Sequence, residues 1–393
     1  MSNMVNISDY LFFQEGPGVR NNQYTSEGVK LLNVANLQNG KVILDNTSRY
    51  ISEDEAYGKY KHFLVDPGDL IIASSGIKVE YFEKKMGFVS QEQLPLCMNT
   101  STIRFKTLDK EKLDIKYFMY FLKSDCFKRQ LFKMITGSAQ LNFGPSHLKK
   151  MMFPLVSIDE QKRIINYLES IDEAISIKEE IKKDINELID SKFNEMFSND
   201  IDDATNEKKL IEVSDFIDYR GKTPTKVDSG IPLITAKNVR KNYFSYEPRE
   251  YITFEEYKER MTRGFPKPGD VLFTTEGPLA NVCLIPEFDG EFSVGQRLIT
   301  MQPHSGVINS EYLKYILCSD AIQNKIFQKA TGSTVLGIKA KYLKEITIPV
   351  PKLDKQDRFK SFYNSCEELL KITEEDLNSL RELMNSKLSE FFD

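Results

Sequence analysis

The chain repeats itself at a distance that no short structural repeat spans. The segment from Tyr117 to Asp125 (YFMYFLKSD) returns from Tyr312 to Asp320 (YLKYILCSD), Thr136-Gly-Ser138 returns as Thr331-Gly-Ser333, and Ser191-Lys192-Phe193 as Ser386-Lys387-Leu388, all at an offset of 195. Earlier landmarks drift slightly: Pro67-Gly68-Asp69 pairs with Pro268-Gly269-Asp270 at 201, and Gly28 with Gly230 at 202. Solenoid repeats recur every few tens of residues, so a period this long marks a duplicated domain. A length of 393 residues leaves each copy room for its own core. Whatever the chain does should need two of what one module does.

Each copy ends in a long amphipathic stretch. In the second, Phe359, Tyr363, Cys366, Leu370, Thr373, Leu377, Leu380 and Met384 alternate spacings of four and three, the a/d seam of a coiled coil. In the first, the seam runs through Ile164, Leu168, Ile171, Ile175, Lys178, Lys182, Ile185, Ile189 and Met196. Its two lysines interrupt it, and Ile177 and Ile181 offer an alternative stripe. No proline or glycine falls in 159–197 or 354–393, and at about 1.5 Å per residue such helices reach roughly 55–60 Å. A one-striped helix must bury its stripe, so the two are expected to pack together, antiparallel, with the modules at opposite ends. Two unrelated exposed helices, or an oligomerisation coil, are the alternative. Prolines precede both helices, in Phe153-Pro154 and Ile348-Pro349, and Asp159 or Asp354 is expected to cap the start. Segment 198–208 is polar and reads as a linker. The modules themselves read as α+β, with strands such as 70–73 and 271–274 after Pro-Gly-Asp turns and helices over 110–134 and 309–330.

The net charge of −5 argues against a nucleic-acid binder until it is divided. Segment 159–197 holds 11 acidic and 6 basic residues and segment 354–393 holds 10 and 6, so the remainder of the chain is at +4. The acidity resides in the helices. Five scattered cysteines without a CxxC pair favour neither a disulfide framework nor a zinc site. The first nine residues lack the pattern of a secretory signal, and no apolar run is long enough to span a membrane. A cytoplasmic protein is expected.

Catalytic patterns are missing from the sequence. His62, His147 and His304 have no metal-binding spacing, and there is no Walker A, GxGxxG, GxSxG or Asn-Pro-Pro-Tyr motif. The glycine-rich run Glu15-Gly-Pro-Gly-Val-Arg20 has neither phosphate-loop spacing nor an evident preceding strand, and reads as a turn. What each copy offers is basic and amide side chains interleaved with tyrosines; 218–267 holds 11 basic against 7 acidic residues. Lysine and arginine neutralise phosphates, while arginine, asparagine and glutamine reach base edges. The candidates for DNA contact are Arg20, Asn36, Lys78, Lys84, Lys85 and Gln91 in the first copy. In the second they are Arg220, Lys222, Lys237, Asn238, Arg240, Lys241, Arg260, Arg263 and Arg297. Solvated surface charge is the ordinary explanation of any one of them. The copies agree in their frame and differ in their loops, which suits modules that read different targets, although neutral drift after duplication gives the same pattern.

The ordered set of marks, occurring twice, resembles the specificity subunits of type I restriction–modification systems. The marks are Gly28 to Leu37 (GVKLLNVANL) with Gly230 to Val239 (GIPLITAKNV), the Pro-Gly-Asp turns, the Thr-Gly-Ser loops, the Asp-x-Gln helix lead-ins (Asp159 to Gln161, Asp354 to Gln356) and the two long helices. The resemblance implies two tandem α/β target recognition domains, over 1–156 and 210–353, each reading one half of a bipartite asymmetric site in double-stranded DNA. It implies helices over 157–198 and 354–393, joined to the second domain through a linker at 199–209, that form an antiparallel coiled coil. That coil would set the spacer and dock two methyltransferase subunits, with restriction subunits recruited further out. Ile164, Leu168, Ile171, Ile175, Ile185, Ile189, Phe359, Tyr363, Leu370, Leu377, Leu380 and Met384 are its expected seam. S-adenosylmethionine, ATP and magnesium would belong to the partner subunits, with no cofactor or catalytic residue in this chain. A type IIB-like specificity subunit and a coiled-coil scaffold that binds no DNA are the competing readings.

Overall fold

The computed structural model describes residues 3–45, 47–134, 141–202, 206–219 and 223–393. It divides into two compact units, Met1–Glu179 with Glu375–Asp393, and Glu180–Glu374. The units therefore do not coincide with the sequence blocks 1–156 and 210–353. Each takes in a length of both long helices, because the apolar stripe of each helix is buried against a globule as well as against the other helix.

In the first unit the central sheet has four antiparallel strands in the order Leu11–Glu15, Thr102–Thr107, Leu70–Ala73, Met86–Phe88. A smaller sheet places Val29–Leu32 between a parallel Leu96–Met98 and an antiparallel Tyr50–Ile51. Asn3–Asn6 pairs antiparallel with Met152–Leu155, which makes this N-terminal stretch a strand of the first copy. The second unit repeats all three sheets in the same order and sense. Ser214–Asp218, Leu298–Pro303, Val271–Thr275 and Leu279–Leu284 form the central one. Ile231–Ile234 lies between Tyr251–Ile252 and a parallel Ser293–Val294, and Glu207–Lys209 pairs with Thr347–Pro349. That last strand shortens the expected linker at 199–209.

Both helical stretches resolve into pairs, Ile115–Lys123 with Asp125–Met134, and Ser310–Cys318 with Asp320–Gln328. The break is a serine: Ser124 Oγ donates to Phe121 O at 2.7 Å and Ser319 Oγ to Ile316 O at 2.7 Å, while each also accepts from a backbone N–H of the next helix. The first copy's Thr136-Gly-Ser138 loop lies outside the described residues.

The central helix spans Ile158–Asp202 and the C-terminal helix Leu353–Phe392, 45 and 40 residues, or about 68 and 60 Å. Asp159 and Asp354 sit in the first turn and do not cap it; Ser157 Oγ accepts from Glu160 N at 3.3 Å instead. Acidic residues in a first turn are still favoured by the helix dipole. In the first unit Ile164, Leu168 and Ile171 share a core with Met384, Leu388 and Phe392, and Ile175 and Leu380 pack beside it. In the second, Ile185, Ile189, Phe193 and Phe197 share one with Phe359, Tyr363 and Cys366, and Leu370 packs beside it; Leu377, in the first unit's part of the helix, is also buried. The helices run antiparallel in each unit: Lys178 pairs with Asp376 at 2.5 Å in the first, and Lys182 with Glu374 in the second. The stripe does not shift to Ile177 and Ile181, which stay 49% and 38% exposed. The seam keeps its lysines, whose long stems reach carboxylates on the facing helix. Such half-exposed pairs contribute about 0–1 kcal/mol, so the apolar stretches on either side carry the register.

The copies differ sharply at one buried position. Lys314 is 3% exposed, where the first copy has Met119. Its Nζ donates to Tyr363 Oη at 3.2 Å and lies 4.7 and 4.9 Å from the ring centres of Tyr315 and Tyr363. Burial pushes its pKa down, opposed by Glu367, Cys318, Cys283 and Asp190. Lys314→Met should therefore stabilise the protein by about 1–2 kcal/mol, raising Tm by roughly 2–8 °C. The folded-state pKa is the lower one, so the charge penalty is fully present below it and absent above the unfolded value. The gain should shrink as melting is measured at increasingly alkaline pH. A lower Tm in the variant at neutral pH would show that the ring and hydroxyl contacts outweigh the desolvation.

Candidate nucleic-acid interface

Loops from separate parts of the sequence converge at one end of each central sheet. In the first unit Gly16 N–H donates to Thr102 O (2.9 Å), Ser74 N–H to Ser101 O (2.9 Å) and Phe143 N–H to Ser74 O (3.0 Å). These bonds gather the 16–20, 74–78, 99–101 and 142–144 stretches. Asn99, 1% exposed, clamps the first of them: its Oδ1 accepts from Val19 N (3.2 Å) and Thr100 N (2.8 Å), and its Nδ2 donates to Asn33 Oδ1 (2.9 Å). The backbone passes so close that a Cβ on Gly16 would stand 2.1 Å from Asn99 O. The glycine-rich run is thus a turn, as read, but a strand, Leu11–Glu15, does precede it. It delivers Arg20 to the surface, where its main-chain N–H is held by Gln23 Oε1 at 3.1 Å and its guanidinium has no ion-pair partner among the described residues. Nearby cations stand over rings, Arg49 at 5.5 Å from the Tyr24 centre and Lys59 at 4.7 Å from that of Tyr60. Arg49 is not among the sequence candidates, because Tyr24, the ring it stands over, is far away in the chain.

The second unit builds the same end differently. Thr275 N–H and Oγ1 both donate to Arg297 O (2.9 and 3.1 Å), and the Arg297 side chain, 55% exposed, pairs with Glu276 at 3.2 Å. Thr223 Oγ1 donates to Gln296 Oε1 (3.1 Å), and Arg263 Nη1 to Asp218 O (2.8 Å). Arg260 is half-buried: it lies 5.7 Å from the Tyr219 ring centre and donates to Val294 O at 3.1 Å, and burial pushes its pKa down. It is a latch between the strand end and the smaller sheet before it is a reader of anything outside.

Of the sequence candidates, this end assembles Arg20 and Lys78 in one unit and Arg260, Arg263 and Arg297 in the other. Arg220 and Lys222 lie outside the described residues. Asn36 and Asn238 are corrected: they are 2% and 4% exposed, their Oδ1 atoms accepting from Asn33 N and Thr235 N (both 2.9 Å) and their Nδ2 groups donating to Ile43 O and Ser245 O. They fold the loop that carries them, because an amide placed at a chain reversal satisfies donors and acceptors that water cannot reach. Lys85 borders the same sheet end, its carbonyl accepting from Ala73 N at 2.8 Å, and with Lys84 it sits on a turn whose Phe82 stacks on Phe127 and whose Glu83 pairs with Lys128 at 2.5 Å. Lys241 likewise lines a recess with Asp190 and Cys318. Lys237 is tied to Glu250 at 3.2 Å. Gln91 and Arg240 are exposed on turns beside the smaller sheets. Among the described residues no cluster of histidine, cysteine or carboxylate groups could hold a metal ion, and no helix is long and apolar enough to cross a membrane.

The comparisons with known proteins agree with this doubled plan. The family of the type I restriction modification DNA specificity domain matches twice, over residues 16–187 and 204–382. The MjaVIII type I restriction enzyme specificity subunit of Methanocaldococcus jannaschii is 28% identical over 186 residues, 46% of this chain and 42% of that protein. The MjaIX specificity subunit of the same organism is 29% identical over 157 residues, 38% of this chain and 35% of that protein. The chain thus matches less than half the length of either relative. A crystal structure of the type I restriction-modification S subunit from M. genitalium superposes with a TM-score of 0.54 at 17% identity, covering 100% of this chain and 96% of that one. At that identity the likeness is one of fold.

Proposed function

This chain belongs to the type I restriction–modification DNA specificity family, and from that premise we propose that it is the sequence-reading subunit of such a system, each unit reading one half of a bipartite DNA site. The observation that carries the reading is the duplicated sheet end: one frame, its four-stranded sheet repeated strand for strand, bearing cationic loops that differ between the copies. A shared frame holds two readers in equivalent attitudes to DNA, while divergent loops let each select its own bases. Two half-site readers on one chain bind as a linked pair, the second at high effective concentration.

The helices fit a second task. Ile177 and Leu383 in the first unit are 49% and 38% exposed, and Leu188, Leu369 and Ile372 in the second are 53%, 53% and 49% exposed. Aliphatic side chains left in water on the outer side of an acidic helix pair suit protein partners better than a polyanion, and support docking of methyltransferase subunits there. Chemistry, with S-adenosylmethionine, ATP and magnesium, would then lie in the methyltransferase and restriction partners, in the cytoplasm.

Co-expression with the partner methyltransferase, followed by genome-wide mapping of methylated bases, tests this. One asymmetric motif, two short words around a fixed gap, is expected. Replacing residues 210–353 with those of a relative should change one word and leave the other. A stable complex that methylates at no defined motif would leave the scaffold reading in possession.

A further inference from the structure

The second unit carries a hairpin whose tip is unlike the polar loops around it. Thr331 N–H donates to Gly337 O at 2.8 Å and Gly337 N–H returns to Thr331 O at 2.9 Å, closing a turn over the five residues between them. Gly332, at φ +127°, makes the closure possible, since a Cβ there would stand 2.1 Å from Val335 O. The turn is fastened to the central sheet as well: Glu276 bridges to Gly337, and Ile338 N–H donates to Thr275 O at 3.0 Å. At its apex Val335 and Leu336 are 57% and 47% exposed. Isolated exposed aliphatic groups are common. An adjacent pair held out on a turn bonded from both sides is less so, and it adds nothing to the core.

The surroundings say what would cover it. Lys329, Lys339 and Lys341, all exposed, flank the hairpin in sequence and have no carboxylate within ion-pair distance among the described residues. Arg297 lies on the neighbouring loop, tied to Glu276. An apolar tip on a hairpin flanked in sequence by exposed cations complements a polyanion with apolar groups in its groove. In the DNA major groove that group is the 5-methyl of thymine, which aliphatic side chains contact directly.

We propose that Val335 and Leu336 enter the major groove and pack on a thymine methyl in the half-site read by the second unit, with Lys329, Lys339 and Lys341 on the flanking phosphates. This rests on the DNA-reading function proposed above. Once the methylated motif of the assembled complex is known, duplexes carrying it are made with each thymine of the second word replaced by deoxyuridine, which removes the methyl group alone. The complex containing the full wild-type chain should bind at least one of these roughly three- to tenfold more weakly. The complex with V335A/L336A should bind the thymine duplex more weakly by a similar factor and no longer distinguish it from the uracil one. Thermal melting of the variant within a degree or two of wild type confirms that both side chains are dispensable for folding. Uracil discrimination that persists in the variant, or is absent from the wild type, or a second word without thymine on either strand, overturns the assignment while leaving the specificity reading intact. A wild-type complex that selects no sequence removes both.

Discussion

Phe359→Ala should lower the stability of the second unit by about 3–5 kcal/mol, seen as a fall in apparent Tm of roughly 10 °C. Phe359 is 0% exposed and is the side chain on which three elements meet. Its ring lies 5.3 Å from Phe193 and 5.6 Å from Phe197 on the central helix, and 5.3 Å from Tyr315 on the globule. Truncation leaves a cavity lined by rings that two long helices and the Ser310–Cys318 helix hold in place, so collapse onto the void is restricted and most of the cavity penalty remains. Leu369→Ala is the control: it is on the same helix, 53% exposed, and should change stability by no more than about 0.5 kcal/mol. Equal effects of the two in urea denaturation would contradict the packing described for this helix.

Gln356→Leu should destabilise by about 2–4 kcal/mol although it conserves apolar volume. Gln356 is 0% exposed; its Oε1 accepts from Asn309 N at 2.8 Å, and its Nε2 donates to Pro351 O at 2.8 Å and Val307 O at 3.2 Å. One side chain thereby joins the start of a long helix to the loop that opens the globule's own helix. Gln161 does the same in the first unit, with Asp114 N (2.9 Å), Lys112 O (2.8 Å) and Val156 O (2.9 Å), and Gln161→Leu should have a similar effect. Leucine strands a buried N–H and two carbonyls that cannot reach water. Faster amide exchange at Asn309 in Gln356→Leu would locate the loss. A cost below about 0.5 kcal/mol would mean that water takes over those groups and the glutamine is no staple.

This glutamine shows what kind of information was legible beforehand. Its place after an aspartate at each helix start is visible as a repeated mark, but the globule groups it binds lie 47 and 49 residues away in both copies, and no local pattern points to them. Asn36 and Asn238 differ: their partners lie only three to ten residues away, yet the sequence does not show that the loop turns back on them. An amide in a basic loop reads as a base-reading group until the neighbouring backbone groups are seen to need it. The helix seam was legible almost residue by residue, because a 3.6-residue period projects a buried stripe wherever the partner comes from. Where two competing stripes were possible, at Lys178 and Ile177, the buried apolar residues on either side made the choice, and Asp376 on the other helix only receives the lysine.

From the sequence alone came the duplication, the α+β frame, the antiparallel helices and the family, because periodicity, turn chemistry and repeated order are properties of a chain read along its length. The tertiary structure alone decided that the helices are shared between both compact units, that Arg260 is a latch and that the loops bearing Arg20 and Lys78 leave the same end of one sheet. It also decided that Val335 and Leu336 crown a pinned hairpin. Those are matters of which elements meet, and burial, hydrogen-bond satisfaction and close backbone approach settle them between residues that the sequence keeps far apart.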